Sequence, residues 1–208
     1  MRNNRWPNGN IWYIFSGGTS GQRADVLAAM KAWSDVTKLK FIDVSGYGSG
    51  IGTHVRITFN ANEGNRAAVG YQAIAGQYCN LGNRGVGVAV HELGHTIGMN
   101  HEQIRSDRDN YIKINFNNIT PNWKSQYYKV GVGQDALVNA YGTGFDYKSI
   151  MLYPSRTYCT GSNPIVYNCN IPAMTRLNGS EWGDNIYNGT NKPSSADAFW
   201  VNTYYNIQ

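Results

Sequence analysis

Charged side chains are scarce in this sequence. They make up 15% of its 208 residues, against about 25% in an average soluble domain. The formal net charge is +5, but no dense run of lysine and arginine occurs, so a nucleic-acid partner is not expected. Nor does any stretch approach the ~20 consecutive apolar residues that cross a bilayer, and we therefore expect no membrane span.

Cysteine is scarce as well, since the chain has Cys79, Cys159 and Cys169. They do not form the Cys-X-X-Cys pairs that are typical of a cysteine-ligated zinc site. Cys159 and Cys169 flank a loop that contains Gly161 and Pro164. A disulfide across so short a loop would stabilise the fold by roughly 2–3 kcal/mol in the chain-entropy model. Three reduced, buried thiols are the alternative, which counting leaves equally open.

Apolar and aromatic residues, by contrast, are sufficient for a large core. The apolar fraction is 41%, including 15 tyrosines, six tryptophans and six phenylalanines. A length of 208 residues is typical of one domain, or of two lobes that share a core. We therefore expect a single domain over residues 1–208.

The first half of the chain has the periodicities of strands and a helix. Residues 11–15, 41–44 and 55–59 show the apolar runs or the alternation of strands. Between the first two, apolar residues recur at helical spacing from residue 22 to about residue 37, with Ser20 as the candidate cap. Strand, helix and strand in this order predict an α/β (α+β) fold with a mixed, mostly parallel twisted sheet.

The second half is less regular. Residues 86–97 predict a second helix, which Gly98 would end. Beyond it, long periodic segments disappear until residues 194–205, which predict a short C-terminal helix. We expect an upper lobe over about residues 1–98 with two long helices, and an irregular lower lobe over about residues 99–208.

Three histidines at particular spacings are the main functional signal. His91 and His95 are four residues apart on the predicted helix, so both imidazoles leave the same face. Two nitrogens on one face can reach one zinc ion at the ~2.0–2.1 Å that the metal requires. Gly98 permits the left-handed turn that would bring His101 back as a third ligand.

Glu92 follows the first of these histidines, where it can contact a metal-bound water without displacing it. Three protein ligands leave one position for water, which distinguishes a catalytic zinc site from a closed structural one. Chance explains this pattern poorly, because three of the four histidines fall within residues 91–101. The fourth, His54, stands outside any ligand spacing, and we expect it to be structural or exposed.

The pattern of residues 91–101 resembles that of the metzincin metalloproteases. Within that clan, Glu102 and the segment 103–112 resemble the astacin family, and residues 145–153 resemble its Met-turn. The resemblance implies that Met151 forms an apolar floor under the metal. It also implies that Tyr153 ligates zinc in the resting enzyme and assists catalysis after it swings away.

The resemblance extends less specifically to the segment of residues 67–71. It looks like the edge strand along which a peptide substrate lies antiparallel, and an exposed edge is a ready template for backbone pairing. This implies substrate-binding residues at Ala68, Val69, Gly70 and Tyr71. Glu102 is implied to be structural, near the buried N-terminus that family members acquire on losing a propeptide.

Taken together, the motif and the resemblance predict a zinc-dependent endopeptidase with one catalytic Zn²⁺ ion. Attack by a zinc-bound water, activated by Glu92, would hydrolyse peptide bonds in protein or peptide substrates, with the extracellular matrix as one candidate source. The resemblance further implies a secreted protein, made as a zymogen with a propeptide, and we expect a monomer.

Three alternatives stay open. Another metzincin branch is disfavoured by Glu102 and Tyr153. A binding module that keeps the zinc but not the catalysis is disfavoured because Glu92 is retained. A carbohydrate- or matrix-binding surface in the Tyr-, Trp- and Asn-rich lower lobe is compatible with protease activity, although aromatic residues more often pack than bind.

The cysteine positions yield a first prediction. We expect Cys159 and Cys169 to be bridged and Cys79 to be free, because the first two flank one loop. Peptide mapping by mass spectrometry under non-reducing conditions measures the pairing. A Cys79-containing intramolecular bridge would contradict it.

Overall fold

The computed structural model describes residues 4–82, 85–130, 144–158, 171–183, 186 and 191–206. Strands and helices alternate in the first half, and short 3-10 turns dominate much of the second. The strands and helices of the described residues are β1 (Asn10–Phe15), α1 (Ser20–Ser34), β2 (Lys40–Asp43), β3 (Val55–Thr58), β4 (Asn65–Ala67), β5 (Gln77–Leu81), α2 (Val86–Ile97), β6 (Ile112–Ile114), β7 (Met174–Arg176) and α3 (Ser195–Tyr205).

The predicted mixed sheet is confirmed. Within the described residues its strand order is β2-β1-β3-β5-β4. β1 pairs in parallel with β2 and β3, and β3 pairs in parallel with β5, whereas β4 is antiparallel to β5 at the edge. A separate antiparallel pair, β6 and β7, lies in the second half of the chain.

Three element predictions need adjustment. The cap of α1 is Thr19 and not Ser20, because the Thr19 side chain accepts the N–H of Gln22 while the Gln22 side chain accepts the N–H of Thr19. The helix also ends at Ser34 rather than near residue 37. Strand β5 was not predicted from the sequence, since its apolar residues share the segment with Gln77 and Asn80, both of which are buried.

The predicted edge strand is displaced toward the N-terminus. β4 ends at Ala67, so residues 68–71 lie past its end. The reason is a change of hydrogen-bond partners. The Ala68 N–H still donates to Tyr78 O (3.1 Å), but the Gly70 N–H donates to His95 O (2.8 Å) and the Tyr71 N–H to Asn4 O (2.7 Å).

Helix α2 is buried on all sides and has the predicted bounds. Its residues from Gly87 to Ile97 are all buried. Two tryptophans donate indole hydrogen bonds to its carbonyls: Trp33 Nε1 to Val90 O (2.9 Å) and Trp6 Nε1 to Thr96 O (2.8 Å). These hydrogen bonds hold α2 against α1 and the N-terminal segment. They also fix the orientation of the helix, which the non-directional hydrophobic effect does not do.

Helix α3 packs its apolar residues inward as predicted, with Ala198, Trp200, Val201, Tyr204 and Tyr205 buried. A capping box starts it, in which the Ser194 hydroxyl accepts the N–H of Asp197 and the Asp197 carboxylate accepts the N–H of Ser194. No helix in the described ranges is both long and apolar enough to cross a membrane.

The described part of the chain contains two apolar clusters. The larger one unites the sheet, α1, α2 and α3 with Ile150 and Met151. The smaller one lies in the second half, around Ile112, Tyr127 and Leu152. Cys79 is a free thiol buried in the larger cluster, as predicted. Cys159 and Cys169 lie outside the described residues, so their pairing stays a prediction.

Gly94 supplies a test of this packing. A Cβ at Gly94 would lie 2.5 Å from Met151 Sδ and 3.4 Å from Trp33 Cζ2. Gly94→Ala gains about 1 kcal/mol of helix propensity, but overpacking a full core costs about 1–3 kcal/mol. We expect a net loss of stability in thermal or urea unfolding. Gly46→Ala is the control, because nothing lies within 4 Å of its added Cβ; a Gly94→Ala variant as stable as the parent would contradict the packing.

Candidate metal and catalytic site

The three predicted ligands converge. Helix α2 presents His91 and His95, and Gly98 then ends the helix at φ 123°, a conformation that residues with a Cβ rarely adopt. The N–H of Gly98 and the N–H of Met99 both donate to Gly94 O. This turn reverses the chain and places His101 opposite the helix.

The distances match a tetrahedral metal. His101 Nε2 lies 3.3 Å from His91 Nε2 and 3.1 Å from His95 Nε2. Two ligands of a tetrahedral zinc ion, each about 2.0–2.1 Å from the metal, stand about 3.3–3.4 Å apart. The described residues thus hold a trio that fits a metal ion.

The protonation of the imidazoles suits ligation as well. His91 Nδ1 donates to Ile150 O (2.7 Å) and His95 Nδ1 donates to Met99 O (2.8 Å). A carbonyl can only accept, so each Nε2 presents its lone pair to the centre. Burial lowers the pKa of His91 to about 3 and that of His95 to about 4, and burial likewise lowers the pKa of His101. All three are therefore neutral at neutral pH, which is the form that binds metals.

Glu92 follows His91 in α2 and is buried. Its Oε2 atom has no hydrogen-bond partner within the described part of the chain. Burial raises the pKa of the carboxyl to about 8, and a nearby dication would lower that pKa again by favouring the charged form. A buried carboxylate oxygen without a partner is costly, and a metal with its water would supply the missing partner.

The Met-turn, residues 145–153, contacts His91 and the segment that follows His101. Ile150 O orients His91, while Met151 O accepts the N–H of Glu102 (3.1 Å), next to His101. The Met151 side chain is fully buried against Gly94 of α2. It therefore packs against the helix that carries His91 and His95.

Asp197 stabilises the Met-turn and was not anticipated from the sequence. Its carboxylate accepts the Ser149 hydroxyl (2.7 Å) and the Ile150 N–H (3.0 Å). Burial raises its pKa to about 6, although these hydrogen bonds oppose the shift. The capping box Ser194–Asp197 is visible in the sequence as a helix start, but nothing in it indicates a partner 47 residues away.

Tyr153 lies beside the metal trio. The centroid of its ring is 4.3 Å from that of His101 and 6.4 Å from that of His91. Its backbone is held on both sides, since its N–H donates to Gln103 Oε1 (3.2 Å) and Trp182 Nε1 donates to its carbonyl (2.8 Å). Burial raises the pKa of the phenol, so the hydroxyl is protonated and able to donate.

Glu102 is bound by Arg105 Nη1 (3.1 Å) and by the N–H of Asp146 (2.9 Å). Burial nevertheless raises its pKa to about 7, outweighing the attraction of Arg105. In the described residues, Glu102 therefore links the segment after His101 to the Met-turn. Residues 1–3 lie outside the described residues, so the implied contact of Glu102 with the N-terminus stays a prediction.

Of the predicted substrate residues, Gly70 contacts the site directly through His95 O. The Ala68 N–H donates inward across the ladder to Tyr78 O, so the alternation of an antiparallel pair directs the backbone groups of Ala67, the last residue of β4, outward. Val69 lies past the end of β4, and its carbonyl accepts the side-chain N–H of Gln72 (2.5 Å). His54, predicted to be structural or exposed, is buried, with Nδ1 donating to Gly52 O (2.8 Å).

Comparison with known proteins agrees with this geometry. Residues 1–206 match the model of the Astacin family of peptidases. Tolloid-like protein 1 of Homo sapiens is 37% identical over 158 residues, which cover 75% of this chain and 15% of that protein. Zinc metalloproteinase nas-15 of Caenorhabditis elegans is 32% identical over 96% of this chain and 32% of its own length. The chain thus spans only a minor part of these relatives.

Solved structures share the fold. High choriolytic enzyme 1, a hatching enzyme zinc-protease from Oryzias latipes, superposes with a TM-score of 0.78 at 26% identity, covering 98% of this chain and 94% of that one. Myroilysin superposes with a TM-score of 0.60 at 22% identity over 98% of this chain and 96% of its own. At that identity the likeness concerns the fold alone.

The converging imidazoles lead to a prediction about metal content. His95→Ala should remove most of the bound metal from protein supplied with zinc, because two ligands hold the ion far less tightly than three. Elemental analysis after dialysis measures the ratio of metal to protein. His54→Ala should retain the metal, and full occupancy in His95→Ala would refute the ligand assignment.

Proposed function

Because this chain belongs to the astacin family of peptidases, we propose that it is a zinc-dependent endopeptidase acting on protein substrates. The observation that carries the proposal is the convergence of three imidazole nitrogens, together with a buried Glu92 carboxyl oxygen, next to His91 in the chain, that has no partner in the described residues. We also propose that residues 1–208 form one catalytic domain. The family resemblance supports secretion and synthesis with a propeptide. We further propose a monomer, with proteins of the extracellular matrix among the candidate substrates.

Zinc held by His91, His95 and His101 would supply Lewis acidity, lowering the pKa of a water molecule and polarising the scissile carbonyl. Glu92 then acts as the general base, which takes the proton of the attacking water and delivers it to the leaving amine. Its position supports this role, because it follows a ligand directly and its Oε2 atom lacks a partner among the residues that the structure describes.

Tyr153 contributes a hydroxyl donor. The raised pKa of its phenol keeps the proton in place at neutral pH, and the centroid of its ring lies 4.3 Å from that of His101. A donor aimed at the oxygen on which negative charge develops stabilises the transition state more than the ground state. We propose this as its catalytic role, together with the resting-state contact to zinc that the resemblance implies. Met151 would serve as the apolar floor beneath the metal.

The substrate would bind along the edge strand β4 and the segment Ala68, Val69, Gly70 and Tyr71. β4 is an edge of the sheet among the described strands, and the outward backbone groups of Ala67 can pair with an added strand. The Gly70 N–H already donates to His95 O, so this residue would fix the distance between the bound peptide and the metal ligands.

Substitutions at two residues test the chemistry. Glu92→Ala and the isosteric Glu92→Gln should keep zinc and fold, yet lose about 10²–10⁴-fold in kcat, the usual worth of a general base. Tyr153→Phe should lose less, on the order of 10²–10³-fold, because it removes one donor to the oxyanion. Peptide cleavage assays with and without a chelator measure both, with the zinc content of each variant as control.

The activities of the parent and of these variants distinguish an enzyme from a binding module. We expect a larger loss of kcat in Glu92→Ala than in Tyr153→Phe. A Glu92→Ala variant as active as the parent would refute the mechanism. A zinc-loaded, fully processed parent that cleaves no peptide would favour the binding module.

A further inference from the structure

The segment of residues 68–71, the substrate segment, is joined to a metal ligand by a backbone hydrogen bond. The Gly70 N–H donates to His95 O (2.8 Å), and the same carbonyl accepts the N–H of Gly98 at the end of α2 (2.8 Å). A shift of Gly70 would therefore change a contact of the helix turn that carries His95. Whatever holds Gly70 in place determines how the substrate segment lies relative to the metal ligands.

Gln77, the first residue of β5, holds Gly70 through its side chain. This side chain is fully buried (0% exposed), and buried amides require partners for their polar atoms. Nε2 donates to Gly70 O (2.8 Å), and Oε1 accepts the N–H of Gln72 (3.0 Å). A carbonyl only accepts and a backbone N–H only donates, so these partners fix the orientation of the amide. One side chain thus binds the backbone on both sides of Tyr71.

The N-terminal segment holds the same stretch from a separate part of the chain. The Tyr71 N–H donates to Asn4 O (2.7 Å), and the Tyr71 ring packs edge-on against Trp6 with centroids 5.1 Å apart. Gly70 has a φ of 67°, and a Cβ there would lie 2.6 Å from Asn4 O. A side chain is therefore excluded at this position. Gly70 and Tyr71 are fixed by two parts of the chain that are distant in sequence.

These hydrogen bonds occupy backbone groups that a bound peptide would otherwise pair with. The N–H and the carbonyl of Gly70 and the N–H of Tyr71 all have partners within the protein. The Val69 carbonyl accepts from the Gln72 side chain. A peptide can pair its backbone with β4 at Ala67, but it meets the following residues as a preformed surface. Such a surface needs less ordering when a peptide binds, which favours affinity.

We propose that Gln77 is a positioning residue for the substrate. By fixing Gly70 relative to His95, it ensures that a peptide paired with β4 reaches the metal ligands in a defined register. The inference rests on the proposed function. It goes beyond that function by assigning a role in substrate binding to a buried side chain that acts through Gly70.

Gln77→Met tests the proposal. Methionine is apolar and similar in size, so it leaves the Gly70 carbonyl and the Gln72 N–H without the amide. We expect KM for an extended peptide to rise about three- to tenfold, the scale of one lost hydrogen bond, with kcat and zinc content nearly unchanged. KM for a peptide too short to reach β4 should stay at the value of the parent.

Gln77→Glu is a second variant, useful also where the methionine variant does not fold. A protonated carboxyl can still donate to Gly70 O and accept from the Gln72 N–H, whereas a carboxylate can only accept. The ratio of its KM to that of the parent at the same pH should therefore be close to one at low pH and rise as the pH rises. A ratio that is independent of pH would contradict the role of the donor.

Asn118→Leu is the matched control. The Asn118 amide also donates to a backbone carbonyl, Pro172 O (3.0 Å), but in the second half of the chain. This variant should lower the melting temperature and leave KM unchanged for both peptides. An unchanged KM in Gln77→Met, or an equal rise for the short and the extended peptide, would overturn the inference.

Binding measured without cleavage separates this inference from the proposed function. In the zinc-loaded Glu92→Gln protein, adding Gln77→Met should raise the Kd of the extended peptide by the same three- to tenfold, as measured by calorimetry. An unchanged Kd overturns the inference even in an active peptidase. A parent that cleaves no peptide, combined with the expected rise in Kd, contradicts only the proposed function.

Discussion

The hydrogen bond from His91 Nδ1 to Ile150 O (2.7 Å) is the contact on which the site depends. It fixes the tautomer of the ligand, so that Nε2 presents a lone pair to the metal. It also joins helix α2 to the Met-turn, in a part of the chain 59 residues away. Asp197 holds the same residue from the other side by accepting the Ile150 N–H. A displacement of α3 would therefore be transmitted to His91 through a single residue.

Burial of the site shifts the pKa values of its side chains and also costs free energy of folding. The same desolvation that keeps the imidazoles neutral lowers their pKa values and raises that of Glu92. The cluster of imidazole nitrogens and the partnerless Oε2 atom of Glu92 are polar groups held in a buried site, which costs free energy. Metal binding removes this cost, so the stability of the fold and the affinity for metal are linked.

The second half of the chain has few regular elements, yet its backbone has specific hydrogen-bond partners in the described residues. Around Tyr153 the backbone is fixed by side chains rather than by a sheet ladder: Gln103 accepts its N–H and Trp182 donates to its carbonyl. Arg108, also buried, donates to Gln103 O and Tyr127 O. Aromatic stacking then sets the ring positions. Few periodic segments are needed here, because side chains supply specific partners to these backbone groups.

The sequence by itself determined the local features of this protein. The spacing of His91 and His95 on a helix, the turn at Gly98 and the return of His101 depend on residues within one short segment, so their geometry follows from helix periodicity and backbone freedom. The bounds of α2 and the parallel character of the sheet were predictable for the same reason. Met151 and Tyr153 could be named only through resemblance, because no local rule connects a turn at residue 151 to a helix at residue 91.

What the tertiary structure alone decided are the partners that come from distant segments. Asp197 reaches Ile150, Gln103 reaches Tyr153, and Trp123 stacks on Tyr158 across separations of 35 to 50 residues. The end of β4 at Ala67 was decided in the same way, by the competition of His95 O for the Gly70 N–H. Such contacts depend on how distant segments of the chain pack together, since neither partner of a hydrogen bond or ring contact identifies the other in the sequence.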